Sequence, residues 1–207
     1  MPGKSELEGQ LAVVAGFADP RAELEQYPTP PELAATVIHT ADLNGDIQDR
    51  TIVDLGTGTG MLALGAALRS PHRVIGVDID RSPLQTAIQN EHRVGATAPI
   101  HWVQADVTAG GLSTETPTVV VMNPPFGAQY SNRHADREFL TVSADIADVS
   151  YSIHNEGSEE FVTEFAADRA GTITHAFAAE FSVSNQFSFH TSETEQIQSE
   201  VFRIEWM

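Results

Sequence analysis

Residues 51–68 read as strand, glycine loop and helix, and this stretch limits the fold more than any other part of the chain. Thr51-Ile52-Val53-Asp54-Leu55 is a short, β-branched run of the kind that forms a buried strand. It passes into Gly56-Thr57-Gly58-Thr59-Gly60 and then into an apolar helix from Met61 to about Leu68. Alternate glycines let a ligand approach the backbone, and the start of the following helix aims free amides at it. Such a turn belongs to α/β proteins in which a parallel sheet carries a nucleotide cofactor at its strand ends. The loop leaves the ligand open. Gly58-Thr59-Gly60-Met61-Leu62-Ala63 also fits the dinucleotide pattern G-x-G-x-x-A, so NAD and S-adenosylmethionine both remain.

The alternation continues downstream. Arg73 to Val77 is a second strand ending in Asp78, whose carboxylate is placed to accept from both ribose hydroxyls of either cofactor. Ser82-Pro83 supplies the cap of the next helix and leaves Asp78 for a ligand, with Asp80 a solvated turn residue. Ile100 to Val103 is a third strand. It leads to Gln104-Ala105-Asp106-Val107, where Asp106 is either an acceptor for an adenine amine or an ordinary loop carboxylate. After a fourth strand come a helix from about Asp136 to Ala147, a fifth strand over Val149–His154, and a helix capped by Ser158 reaching about Arg169. Two long antiparallel strands follow, near 172–184 and 195–206. This order predicts a seven-stranded, Rossmann-like α/β sheet, mostly parallel with an antiparallel last strand and helices on both faces.

Upstream, residues 1–48 read as a helical cap leading into the sheet. Ser5 and Glu8 have capping-box spacing at the start of a helix over 4–17. Thr29 and Glu32 repeat that spacing, with Pro30 at the first position of a helix reaching about Asp42. Gln26 to Thr29 read either as a helix start only or as a segment folded over a bound cofactor. No composition shift marks a boundary, so residues 1–207 are expected to form a single domain.

The fourth strand, Val119-Val120-Val121-Met122, stops in Asn123-Pro124-Pro125-Phe126 because two prolines cannot continue a sheet ladder. Pro125 holds Pro124 in extended angles and so fixes the direction of the Pro124 carbonyl. The Asn123 carboxamide oxygen is a second acceptor, and Phe126 offers a flat face. Two fixed acceptors beside an aromatic plate suit a planar ring with an exocyclic amine, such as adenine. The competing reading is a proline turn that closes a core strand.

The chain carries 29 acidic and 11 basic residues, a net charge of −18, with Lys4 its only lysine. Such a surface ordinarily avoids nucleic acid. The acidic residues are spread among apolar periodic segments, which favours adaptation to molar salt, where the Debye length falls to about 3 Å. A halophilic protein is therefore expected. Cysteine is absent, which excludes disulfides and thiolate metal sites. The eight histidines show no ligand spacing, so no metal is expected. No apolar run is long enough for a bilayer and no signal-peptide pattern is present, so the expected location is the cytoplasm, with no membrane contact.

A glycine-rich loop after the first strand, Asp after the second, Asp after the third and Asn-Pro-Pro-Phe after the fourth resemble the class I S-adenosylmethionine methyltransferases acting on amino groups. Reading outward, Leu24-Glu25-Gln26-Tyr27-Pro28-Thr29, Asp54-Leu55-Gly56, Gly76-Val77-Asp78-Ile79-Asp80 and Met122 to Gly127 are similar to the methyltransferase-like protein five family. So are Tyr151-Ser152-Ile153-His154, Phe189-His190 and Phe202-Arg203-Ile204. The resemblance implies S-adenosyl-L-methionine as cofactor and methylation of adenosine N6 in small-subunit ribosomal RNA. It also implies a heterodimer with a small zinc-binding activator. Cofactor contacts would fall to Gln26, Thr29, Gly56, Thr59, Met61, Asp78, Asp106 and Val107, with Asp54 and Gly58 beside them, and catalysis to Asn123, Pro124, Pro125 and Phe126. The chain departs from the family at Thr57 and Thr59, where cysteines are expected, and at Thr191-Ser192-Glu193, where a lysine-rich RNA contact is expected.

Arg133, His134 and Arg137 cluster past the motif, either to meet RNA phosphates or to pair locally with Asp136 and Glu138. His154 and His190 are further candidates near the base. In the sheet order usual for this class, the 100–104 strand is an edge without a lysine to guard it, and Ile100 and Trp102 mark the expected docking strand of the activator. Three rivals stand beside this reading, one of them a DNA adenine methyltransferase, for whose recognition domain 207 residues leave little room. A protein glutamine N5-methyltransferase shares Asn-Pro-Pro but prefers tyrosine next. An NAD-binding oxidoreductase fits the glycine loop but lacks an evident proton donor.

Overall fold

The computed structural model describes residues 3–114, 117–125, 135–184 and 194–207. Seven strands form one sheet in the order β3-β2-β1-β4-β5-β7-β6. They are β1 (Thr51–Leu55), β2 (Arg73–Asp78), β3 (Ile100–Gln104), β4 (Thr118–Met122), β5 (Val149–Asn155), β6 (Thr172–Ser184) and β7 (Thr194–Glu205). The first five pair in parallel, and β7 runs antiparallel to both β5 and β6. The strand order reverses between β1 and β4, and a crevice opens there at the carboxyl ends of the strands.

Helices cover both faces. α1 (Lys4–Leu11), α2 (Pro31–Leu43), α3 (Met61–Ala67) and α4 (Arg81–Val94) contribute to one apolar layer with Ile52, Val74, Val119 and Val121. α5 (Ala135–Ile146) and α6 (Glu159–Asp168) pack on the other, where Val53, Leu55, Val120 and Met122 face them. Alternate residues of β1 and β4 thus serve opposite layers, as the period-2 geometry of a strand requires. Both strands are buried throughout, which is why they read as continuous apolar runs.

Local pattern is overridden in several places. α1 ends at Leu11 rather than continuing to 17, and Gly3, not Ser5, stands at its N-cap. The chain is drawn off the helix axis because Ala15 pairs through both amide and carbonyl with the side chain of Asn90, 2.9 and 3.0 Å away. α2 begins at Pro31 with Pro30 as N-cap and no side-chain cap bond, so the Thr29–Glu32 capping box does not form. Ser158 stands at the N-cap of α6 without a side-chain cap bond. Instead the Gly157 and Ser158 amides donate to the Glu200 carboxylate on β7.

A buried polar knot ties the turn after α2 to the end of the chain. Arg203 Nε donates to Asp46 Oδ2 at 2.8 Å, and the Tyr151 hydroxyl donates to the same oxygen at 2.6 Å. Burial and the Asp46 carboxylate push the Tyr151 phenol above its ordinary range. The sheet edge at β3 is as expected, but Trp102 is not presented to a partner. A Cβ on Gly76 would lie 2.6 Å from the Trp102 ring and one on Gly60 2.8 Å from it, so the indole fills the space those glycines leave. Ile100 likewise packs on the core, and His101, Val103 and Gln104 are the exposed side chains of the edge. Among the described residues no helix is long and apolar enough to cross a membrane.

Candidate active site

A cavity of about 410 Å³ lies at the carboxyl ends of β1, β2 and β4. Its floor is the glycine loop. Gly58 has φ +54°, and a Cβ there would meet the Phe17 ring at 2.9 Å, so backbone angle and space both require glycine. Asp54 braces the loop from below: its Oδ2 accepts the Thr57 hydroxyl at 2.7 Å and the Ala63 amide at 2.9 Å. Burial pushes the Asp54 carboxyl up to about 7 against those two hydrogen bonds, with the nearby Asp78 charge adding to the rise. Asn90, fully buried on α4, donates to the Thr59 carbonyl and so joins the loop to residue 15 of the N-terminal arm.

Asp78 accepts the Gly58 amide through Oδ2 and the Asp80 amide through Oδ1, each at 2.8 Å. It is therefore not free of structural duty, although each oxygen keeps a second lone pair for a ligand. Burial raises its pKa above the usual carboxylate range despite both amides. Asp80, not Ser82, caps α4: its Oδ1 accepts the Ser82 amide at 2.9 Å. Its Oδ2 accepts from Gln26 Nε2 at 3.0 Å and faces Arg21 Nη1 at 3.6 Å. Slight burial opposes ionisation of Asp80, but the hydrogen bonds from Ser82 and Gln26 and the Arg21 charge together hold its pKa down. Asp80 is thus an anchor for the segment above the cavity, rather than a solvated turn residue. Asp106 caps a short 3-10 turn by accepting the Thr108 amide and hydroxyl, which lower its pKa.

Residues 24–29 form the upper wall, and Gln26 Oε1 takes the Arg21 amide at 2.9 Å. At the far end, Asn123 Nδ2 donates to Thr29 Oγ1 at 3.0 Å. Asn123 Oδ1 is buried and has no hydrogen-bond partner among the described residues. An unpaired acceptor of this kind is costly unless a ligand donor meets it.

All ten residues expected at a cofactor (Gln26, Thr29, Asp54, Gly56, Gly58, Thr59, Met61, Asp78, Asp106 and Val107) line this one cavity, together with Asn123 and Pro125. Pro124 is buried and does not line it. Phe126, Arg133, His134 and His190 lie outside the described residues. Arg137 is exposed on α5, and its guanidinium lies over the Phe165 ring, 5.5 Å from the centroid. His154 is buried on β5, edge-on to Phe202. Sequence reasoning passed over Phe17, Glu138 and Phe139, which also line the cavity. No local spacing marks them, and only tertiary packing brings them in.

Residues 34–153 match the family described as the methyltransferase small domain. The chain is similar to an uncharacterized protein of Methanocaldococcus jannaschii, at 35% identity over 98% of this chain and 94% of that protein. It is similar also to the rRNA N(6)-adenosine-methyltransferase METTL5 of Danio rerio, at 32% identity over 96% of this chain and 97% of that one. A crystal structure from Pyrococcus horikoshii, of a protein proposed to be an RNA methyltransferase, superposes with a TM-score of 0.87 at 32% identity. It covers 99% of this chain, which covers 98% of it.

Proposed function

We propose that this chain, which belongs to the methyltransferase small domain family, methylates N6 of an adenosine in ribosomal RNA, using S-adenosyl-L-methionine. Full-length relatives named rRNA N(6)-adenosine-methyltransferases support the substrate class. One observation on this chain carries the reading: at the end of β4, Asn123 Oδ1 is buried and unpaired among the described residues. The charge of the cavity supports the choice of cofactor. Glu25, Asp54, Asp78, Asp106 and Glu138 line it, and among the described residues no lysine, arginine or histidine does. That lining suits a cation better than the pyrophosphate of NAD, which disfavours the oxidoreductase reading.

The fit to the cofactor is residue by residue. Asp78 has lone pairs to spare for ribose hydroxyls, Asp106 lines the cavity and would accept from a purine amine, and the glycine loop admits close approach. S-adenosylmethionine, when bound, supplies an electrophilic methyl on sulfur. Asn123 Oδ1 accepts an N–H from the substrate amine and stabilises the positive charge that grows on nitrogen as it is methylated. The Pro124 carbonyl would be the second acceptor, and Phe126 would stack on an unpaired base, an interaction of about 1–3 kcal/mol. A proton then leaves the amine for water. The same acceptors would serve a glutamine amide in protein, but the names of the full-length relatives favour the RNA base.

We assign the RNA to the small subunit, and a small zinc-binding activator to the β3 edge. His101, Val103 and Gln104 would meet that partner, with Trp102 behind them. The proposed setting is the cytoplasm of a halophile, for which the net charge of −18 is the support. Replacing Asn123 tests the core of the proposal. Asn123→Ala should lower transfer to rRNA adenosine by about 10²–10³-fold and leave cofactor affinity within a few-fold. Full turnover by that variant would remove Asn123 from the reaction.

A further inference from the structure

Thr29 stands where a helix cap was expected, yet it caps nothing. Its hydroxyl oxygen accepts the Asn123 Nδ2 hydrogen at 3.0 Å, from a residue 94 positions away. The opposite atom of the same carboxamide, Oδ1, is buried and unpaired. A carboxamide is planar, so a bond to one end sets the direction of the other. A hydroxyl can accept as well as donate, which lets Nδ2 settle on Thr29 while Oδ1 remains free to accept. We infer that Thr29 is a positioning residue for the methyl-accepting site, holding the Asn123 carboxamide so that its oxygen faces the incoming amine. This inference rests on the proposed function and extends it to a residue expected only as a cofactor contact.

The placement of Thr29 gives the contact a second consequence. Gln26, three residues before it, is fixed to Asp80 at 3.0 Å, at the turn between β2 and α4. Residues 26–29 therefore span the cavity from the end of β2 to the end of β4. The wall of the cofactor side and the acceptor on the amine side form one braced segment. Valine at position 29 matches threonine in shape but offers no oxygen. It would leave Nδ2 unpaired and the carboxamide free to rotate.

The test uses the full chain, with parent, Thr29→Val and Thr29→Ser compared. The Asn123 side-chain amide protons are observed by NMR and assigned by their loss in Asn123→Asp. Exchange of the bonded proton with solvent should accelerate at least about 10-fold in Thr29→Val and return toward the parent in Thr29→Ser. In turnover on rRNA, Thr29→Val should lower kcat by about 5- to 50-fold. Any rise in its dissociation constant for S-adenosylmethionine should be smaller than the fall in kcat, and Thr29→Ser should recover most of the loss. Unchanged exchange, unchanged kcat, or a loss confined to cofactor affinity would each overturn the inference. If the parent itself transfers no methyl to rRNA adenosine, the proposed function fails, and proton exchange still decides whether Thr29 holds Asn123.

Discussion

The Gly58 amide donates to Asp78 Oδ2 across 2.8 Å, joining the middle of the glycine loop to the end of β2. One carboxylate therefore shapes the loop and faces the cavity. Asp78→Ala should remove both functions. A hydrogen bond to a charged group contributes about 1.5–3 kcal/mol, so S-adenosylmethionine affinity should fall by about 10- to 100-fold. Isothermal titration measures it, and an unchanged affinity would exclude Asp78 from the cofactor site.

Trp102 provides a packing test independent of catalysis. Its Nε1 donates to Glu91 Oε2 at 2.8 Å, which holds the indole against Gly60 and Gly76. Gly76→Ala would put a methyl 2.6 Å from that ring, on rigid neighbours. Such overpacking costs about 1–3 kcal/mol, readable by urea unfolding. Adding Trp102→Leu should return part of it, because the two sites share one contact. Additive losses would mean that the ring and the glycine are not coupled.

His154 should make the fold acid-sensitive. Burial pushes its imidazole pKa down to about 4 from an ordinary 6.5. A depressed folded pKa means the stabilising contribution is complete above pH 6.5 and is lost as pH falls toward 4. Asp54 acts in the opposite sense: its carboxyl is raised to about 7 by burial, so its contribution is complete below 3.8 and is lost as pH rises through 7. The histidine is isolated by comparing the parent with His154→Phe. Between pH 7 and 4.5 the variant should lose about 2 kcal/mol less than the parent. Parallel losses would rule out His154 as the source.

The charge of −18 sets an expectation for salt. Self-repulsion across an acidic surface is screened within about 3 Å at 1 M. Thermal midpoint and methyl-transfer rate should both rise from low to molar potassium chloride, although RNA binding by itself weakens with salt. A monotonic fall in both would contradict adaptation to salt.

Much of the site was legible because its signals are local. Glycines at 56 and 58, and acidic residues at strand ends, are read within a few positions, and all line one cavity. What escaped depends on distant partners. Asn90 looks like any polar helix residue, and its role comes from the arm 75 positions away and the glycine loop 31 positions away. Thr29 and Glu32 have the spacing of a cap, but a partner 94 residues on takes the hydroxyl. Asp80 seemed dispensable beside Ser82, yet an aspartate at that position caps the helix and still has an oxygen for Gln26. Alternation likewise predicted strands and their directions, whereas nothing local reveals that β7 inserts between β5 and β6.

That insertion governs how the chain can be made. β6 leaves the ribosome before the strand that must separate it from β5, so it has no sheet neighbour until β7 follows. A premature stop ahead of Thr194 would deprive Asp46 of the Arg203 guanidinium and leave β6 stranded. Loss of the final strand would thus detach two strands at once and leave a carboxylate stripped of water in the turn after α2.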